Sequence, residues 1–239
     1  MQMTKKGPIY QLTFMPRFFP INCYVVDEGK ELTLIDAALG FTAKQILLSI
    51  KVMKKPLTQI VITHAHIDHL GALDAIKQEW PDVVVSMSSR DARLLAGDTS
   101  LLSGEPNLPI KGGIPKTIKT PPDRLLEEGD RIGSLEVIST PGHTPGSISL
   151  IDTRNRFLVA GDAFQTRGGI AVSGTVKILF PFPAFATWDK QVALESAHKI
   201  RQLTPQLLAV GHGQMIEKPL EAINLAILES EKNLYYKET

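Results

Sequence analysis

His64-Ala65-His66-Ile67-Asp68-His69 follows directly on the apolar run Gln59-Ile60-Val61-Ile62-Thr63, and this junction decides the reading of the chain. Three of the six histidines fall inside the hexapeptide. Neutral imidazoles and a carboxylate at such close spacing suit a borderline-soft divalent cation, zinc above all. A buried strand that empties into a polar cluster is also where open α/β sheets place their chemistry. Side chains two apart on an extended stretch point the same way, so His64 and His66 can grip one ion together. The bland alternative is a solvated loop rich in histidine by accident. Ligand-type residues further along argue against it.

Those residues sit in glycine-bounded turns. Thr140-Pro141-Gly142-His143-Thr144-Pro145-Gly146-Ser147 follows the apolar segment 135–138, Val159-Ala160-Gly161-Asp162 ends another strand in a carboxylate, and Leu207-Leu208-Ala209-Val210-Gly211-His212-Gly213 ends a third. Each time a short hydrophobic run reaches a glycine, with His or Asp directly after it. Glycine lets the backbone turn sharply there and come close to a bound ion. Four strand ends thus collect five of the six histidines and two aspartates.

The hexapeptide, with His143, Asp162 and His212 following in that order, resembles the metallo-β-lactamase-fold hydrolases, and among them the dinuclear glyoxalase-II-like and lactonase-like branch. The resemblance runs from Leu34-Ile35-Asp36 to Gly211-His212-Gly213. It implies a four-layer αββα sandwich of two mixed sheets with outer helices, where pattern alone gives a mixed α/β class. By the same resemblance His64, His66 and His143 hold one cation, Asp68, His69 and His212 hold a second, and Asp162 bridges them. Two zinc ions are implied, with iron or manganese as alternatives. A hydroxide bridging two such ions forms near neutral pH without a strong protein base. It would attack an ester, thioester or lactone carbonyl, with Asp68 as the catalytic proton carrier. No Gly-x-Ser-x-Gly elbow offers a protein nucleophile. One departure stands out: Ala37-Ala38-Leu39 precede Gly40, where the family places a small residue and a glycine directly after the equivalent of Asp36.

Asp36 has two readings, a carboxylate that orients a histidine through its second ring nitrogen or a cap for the helix expected from Phe41. His198, mid-helix and without a glycine turn, reads as a surface or half-buried histidine. Thr144 and Ser147 read as turn stabilisers.

With 239 residues and no linker or low-complexity tract, the chain reads as a single domain over 1–239. Net charge is +1, from 26 basic and 25 acidic residues. That offers no electrostatic case for nucleic acid or an anionic membrane, so the expected partner is a small-molecule substrate. The single cysteine, Cys23, excludes an intrachain disulfide and reads as a buried small hydrophobe. No signal-peptide core follows Met1-Gln2-Met3-Thr4-Lys5-Lys6-Gly7-Pro8, and no stretch reaches the roughly 20 apolar residues of a membrane span. A cytoplasmic location is the default expectation.

Strands are expected over 9–14, 21–26, 32–35, 59–63, 83–86, 135–139, 147–152, 157–160 and 207–210. Helices are expected over 41–53, from Asp68 or His69 to Trp80, over 88–95, over 188–201 and over 218–235. Residues 97–122, rich in Gly, Pro, Ser and Thr, read as a long surface crossing or as a flap near the site.

Substrate class is narrowed by comparison with the family's branches. The best-known zinc β-lactamases carry a cysteine where this chain has Asp162. Flavin-linked di-iron relatives carry a glutamate at His66 and a flavodoxin-like domain. Lactonases place a tyrosine where this chain has Gln165, and Gly213-Gln214-Met215 lacks the glutathione-holding groups of glyoxalase II. The stretch 164–187 is apolar and glycine-interrupted, with Phe164, Gln165, Phe180 and Phe182 as candidate pocket residues. It suits a pocket wall, a contact with a second copy of the chain, or core filling. Two further readings stay open beside the hydrolase: a non-enzymatic metal-binding or regulatory protein, and a di-iron redox relative.

Overall fold

The structure, a computed structural model described over residues 1–235, forms two compact units, residues 1–98 with 114–126 and residues 99–113 with those from 127 onward. Each is built on one mixed sheet. Their strand and helix content, two mixed sheets with helices, is the α/β class expected from the hexapeptide and its turns.

The first unit holds a seven-stranded sheet in simple sequence order. Strands β1 (Gln2–Lys6), β2 (Ile9–Phe14), β3 (Ile21–Asp27) and β4 (Leu32–Ile35) run antiparallel. Strands β5 (Leu57–Ile62), β6 (Val84–Ser88) and β7 (Arg124–Leu126) continue parallel to β4. The central strands are near-continuous apolar runs because both faces are covered. Val25, Leu34, Ile60 and Val61 are all fully buried. Helix α1 (Ala43–Val52) turns Ile46 and Ile50 inward and leaves Leu47 half-buried. Cys23 lies in β3 with no exposed surface, and burial pushes its thiol pKa up, as a structural rather than reactive cysteine requires.

The helix expected from Asp68 to Trp80 is two pieces, α2 (Ile67–Leu70) and α3 (Leu73–Glu79). The break has a specific cause. Ala37 N donates to His69 O (2.6 Å), Gly71 N to Ala38 O (2.7 Å) and Ala72 N to Ala37 O (3.2 Å), so the loop after β4 takes backbone groups that a continuous helix would use. A Cβ on Gly71 would lie 2.7 Å from Gly40 N and 2.9 Å from Ala38 O. Glycine alone permits that approach. Strand β1 carries no apolar alternation to read, because it is mostly polar and none of its residues is fully buried.

Asp74 in α3 ties down residues 119–120, accepting from Lys119 N, Thr120 N and Thr120 Oγ1. Burial raises its pKa, but the Thr120 hydroxyl and these backbone N–H groups outweigh that and hold the carboxyl below its ordinary value. A depressed folded pKa stabilises the fold above the unfolded value, about 3.9, and that stabilisation is lost as pH falls through the folded value. Asp74→Asn is therefore expected to cost on the order of 1 kcal/mol at pH 7, with the difference from the parent closing below about pH 4 in urea melts.

The second unit's sheet runs β15-β14-β11-β10-β9-β8. Its strands are β8 (Arg131–Ile132), β9 (Leu135–Ser139), β10 (Ile148–Asp152), β11 (Phe157–Val159), β14 (Leu207–Ala209) and β15 (Ile216–Glu217). Only β11 and β14 pair in parallel. Helices α6 (Lys190–Gln202) and α7 (Leu220–Tyr235) bury Leu194, Ile200, Ile223 and Ile227 in this unit's core with Leu158, Phe164, Val172 and Leu208. Each such side chain contributes about 1.5–3 kcal/mol of apolar burial. Asp189 caps α6 through Gln191 N and Val192 N, and Lys199 and Arg201 in the last turn complement the dipole.

The segment 164–187 is more ordered than its glycines suggest: it forms the hairpin β12 (Phe164–Gln165) with β13 (Ala171–Val172) and a short helix α5 (Phe182–Ala186). Within the 97–122 crossing, Leu108 O accepts from Trp188 Nε1, and Trp188 N donates to His143 O, so part of the crossing is anchored beside the His143 turn. Among the described residues, no helix is long and apolar enough to cross a membrane.

Candidate metal centre

In the first unit the site grows from the ends of β4 and β5. Asp36, with a positive φ of 62° and almost no exposed surface, aims its carboxylate at the start of the hexapeptide. It caps no helix. Oδ1 accepts from Thr63 N (2.8 Å), and Oδ2 accepts from Thr63 Oγ1 (2.9 Å) and from His69 Nδ1 (2.8 Å). A carboxylate cannot donate to a ring nitrogen, so the proton of neutral His69 is on Nδ1. The same logic reaches His64, whose Nδ1 lies 3.1 Å from Thr63 Oγ1. The Thr63 hydroxyl spends its one hydrogen on Asp36, so it can only accept from His64 Nδ1. On both histidines Nε2 is thereby the lone-pair nitrogen, and both Nε2 atoms are buried.

The three rings of the hexapeptide lie together, His64 with its centroid 4.8 Å from His66 and 4.0 Å from His69. All three are buried, while Asp68 is half-buried in the first turn of α2. Between His64 and His66, Ala65 N donates to Oδ2 of Asp91 (2.8 Å). Asp91 is fully buried and belongs to α4 (Ser89–Leu95), where its own N–H is capped by Ser88 Oγ. Asp91→Ala would strand the Ala65 N–H, and an expected loss of about 1–3 kcal/mol should appear in denaturant melts. Asp91→Asn keeps an acceptor and should lose less.

In the second unit β11 and β14 exit side by side, with Ala160 N on Ala209 O and Gly211 N on Gly161 O. That pairing sets Asp162 next to His212. His143 arrives on its own turn, locked because Gly142 (φ 131°) presses on the first turn of α6 and Gly142 O accepts from Asp189 N. His143 Nε2 and His212 Nε2 lie 3.3 and 3.2 Å from the same oxygen, Oδ2 of Asp162. All three groups are buried. Nδ1 of His143 is 2.9 Å from Ser173 Oγ.

Phe180, fully buried, sets its ring 5.3 Å from that of His212, and half-exposed Phe182 meets Phe180 edge-on at 5.3 Å. Gln165 Nε2 donates to Phe180 O (3.0 Å) and to Arg167 O (3.1 Å), which pins this loop rather than opening to solvent. Phe164 is in the core with Val172 and Ala163. Val176, Ile178, Leu179, Phe182 and Phe185 are exposed, so the apolar stretch divides into a core-filling part and a solvent-facing part. His198 is placed on α6 with Nε2 3.2 Å from Glu231 Oε1.

The donor set fits a divalent cation. In the second unit two imidazole nitrogens each lie within 3.3 Å of one carboxylate oxygen, a cluster of ligand-type atoms that suits a cation. In the first unit, protein acceptors hold Nδ1 of His64 and His69 and aim Nε2 away from them, the usual second-partner pattern of metal-bound histidine. Thr63, Asp91, Ser173 and Thr187 had not been singled out from sequence. The only legible signal was Ser88-x-x-Asp91, a helix-start pattern.

A family model described as the metallo-beta-lactamase superfamily matches residues 16–212. Among relatives, the Bacillus subtilis uncharacterized protein YobT is 54% identical over 97% of this chain and 100% of its own. The probable metallo-hydrolase YflN of the same organism is 31% identical over 80% of each chain. Hydroxyacylglutathione hydrolase GloC of Haemophilus influenzae is 29% identical over 64% of this chain and 70% of its own. Among solved structures, a metallo-beta-lactamase from Pontibacter korlensis aligns with a TM-score of 0.72 at 20% identity, covering 95% of this chain and 98% of that one. TTHA1623 in a di-iron-bound form aligns at 0.65 and 27% identity, over 89% and 96%. The chain belongs to the metallo-beta-lactamase superfamily, and its two mixed sheets with their helices are the fold of that family.

Proposed function

We propose that this chain is a metal-dependent hydrolase that opens an ester, thioester or lactone carbonyl with the help of two divalent cations. His64, His66 and His143 would hold one ion; Asp68, His69 and His212 would hold the other; Asp162 would bridge. Zinc is the first expectation from the imidazole-rich donor set, with iron and manganese as alternatives. The observation that carries the reading is the pair of ready-made donor clusters: three buried imidazoles gathered at His64, with Asp36 behind His69, and two imidazoles on one oxygen of Asp162.

Bound cations would polarise the substrate carbonyl and bring the pKa of water near neutrality. The chain's own part is to position and to exclude. Asp36 fixes His69 and, through Thr63, His64. Asp68, half-buried at the start of α2, would take up a proton on a carboxylate oxygen and return it to the leaving group. Phe182, half-exposed, would offer an apolar side for the acyl portion, and Phe180, buried beneath it against His212, would keep bulk water from that ring. The support for a thioester within this class is GloC, whose name is that of a thioester hydrolase; the di-iron form of TTHA1623 is the support for keeping iron in the metal assay.

The test is metal analysis of the purified protein together with turnover on a panel of thioesters, lactones, esters and a chromogenic β-lactam, with and without chelator. Chelator-sensitive cleavage of a carbonyl ester, thioester or lactone supports the proposal. Bound metal with no chelator-sensitive turnover on any class overturns it.

A further inference from the structure

The third imidazole whose second nitrogen can be followed is His143, and what lies at its Nδ1 differs from the carboxylate behind His69. Two hydroxyls lie there. Nδ1 lies 2.9 Å from Ser173 Oγ and 3.4 Å from Thr187 Oγ1, Ser173 Oγ lies 2.8 Å from Thr187 Oγ1, and Thr187 Oγ1 donates to Pro183 O at 2.7 Å. Ser173 and Thr187 are both buried, and neither belongs to the ligand set.

Counting hydrogens along this chain gives it a direction. A carbonyl oxygen only accepts, so the single hydroxyl hydrogen of Thr187 is committed to Pro183 O. Thr187 Oγ1 must then accept from Ser173 Oγ, which commits the hydrogen of Ser173. Ser173 Oγ, with no hydrogen left, can only accept from Nδ1 of His143. We infer that Ser173 and Thr187 are positioning residues that hold His143 as the Nδ1–H tautomer, leaving the Nε2 lone pair directed at Asp162. The competing tautomer places the proton on Nε2, where it would donate to Asp162 Oδ2 across 3.3 Å and block that nitrogen as a ligand. Against it stands the Pro183 bond, the shorter of the two contacts and the one that sets the order of donors.

The relay differs in kind from the one serving His64 and His69. There the terminal acceptor is the charged carboxylate of Asp36; here it is a neutral carbonyl in α5, the helix whose Phe182 and Phe185 face solvent. A neutral terminus fixes the tautomer without adding negative charge behind the imidazole, so the cation at His143 would keep more of its Lewis acidity. The tautomer itself does not depend on the hydrolase reading; its consequence for metal affinity does.

Long-range proton–nitrogen correlation spectra of metal-free, 15N-histidine-labelled protein read the tautomer directly, with His143→Asn assigning the signal. The expected result is an Nδ1–H signal for His143 in the parent and in Thr187→Ser, and a shift toward Nε2–H in Ser173→Ala and Thr187→Val. Zinc or cobalt affinity should fall about 10–100-fold in Ser173→Ala and stay near the parent value in Thr187→Ser. An Nε2–H signal in the parent overturns the inference, as does Ser173→Ala with tautomer and metal affinity both unchanged. If Ser173→Ala does not fold, the parent spectrum and Thr187→Val still decide. A parent that shows the Nδ1–H tautomer yet binds none of zinc, cobalt, iron or manganese would refute the hydrolase reading while leaving the relay intact.

Discussion

His66→Ala is expected to lower kcat/KM by at least about 10³-fold, equivalent to about 4 kcal/mol, and to remove one metal ion per chain. His66 is extended (φ −85°, ψ 147°) and stands immediately before α2, so its ring emerges beside that of His64, two residues earlier. An alanine there leaves His64 and the rest of the cluster in place but would deprive the proposed first cation of one of three imidazoles. Electrostatic help from a metal is worth several kcal/mol, and a site held by two nitrogens would lose both occupancy and geometry. His198→Ala is the matching control. His198 lies on α6 against Glu231, and its loss should change stability by about 0.5 kcal/mol or less with activity intact. Kinetics with metal analysis on both variants checks the pair. Full activity in His66→Ala would remove that residue from the site.

Gly142→Ala should destabilise the protein by about 3–5 kcal/mol, seen as a melting temperature lower by roughly 10 °C. The added Cβ would meet Ala193 N at 2.3 Å and Ala193 Cα at 2.4 Å, backbone atoms of the first turn of α6 that cannot swing aside. The positive φ of 131° adds strain of its own. Gly29→Ala separates these causes, because Gly29 also has a positive φ (88°) but a Cβ there would meet nothing within 4 Å. That control should cost only about 1 kcal/mol. Equal melting temperatures for the two variants would show that close packing of the His143 turn on α6 does not matter.

What the sequence made legible follows from how each signal is encoded. The β5–hexapeptide junction and the strand ends at Asp162 and His212 are local: an apolar run, a glycine, a ligand. The parallel strands and the helices α6 and α7 announce themselves by continuous or periodic apolar residues. The break at Gly71 was hidden because its cause is a loop more than thirty residues upstream, whose carbonyls at Ala37 and Ala38 capture helix N–H groups. Strands β1, β7, β8 and β15 are short or exposed and carry too few buried positions for a pattern to register. The groups that set the histidines had no signature of their own. Asp91 reaches Ala65 and Thr187 reaches His143 across 26 and 44 residues, as single polar side chains with no periodicity. For the glycine-interrupted stretch 164–187 the sequence leaves a pocket wall, a contact with a second copy and core filling open, and in the structure Phe164, Val172 and Phe180 are buried while Ile178, Leu179, Phe182 and Phe185 are not. Composition cannot divide such a segment, because which residues turn inward depends on hairpin and helix geometry set by the surrounding core.

The most direct measurement is anomalous diffraction from zinc-loaded crystals collected at the zinc edge. Two peaks sharing Asp162 are expected, one held by His64, His66 and His143 and the other by Asp68, His69 and His212. Peaks held by the residues of one unit alone, or no peak at these seven side chains, would contradict the account.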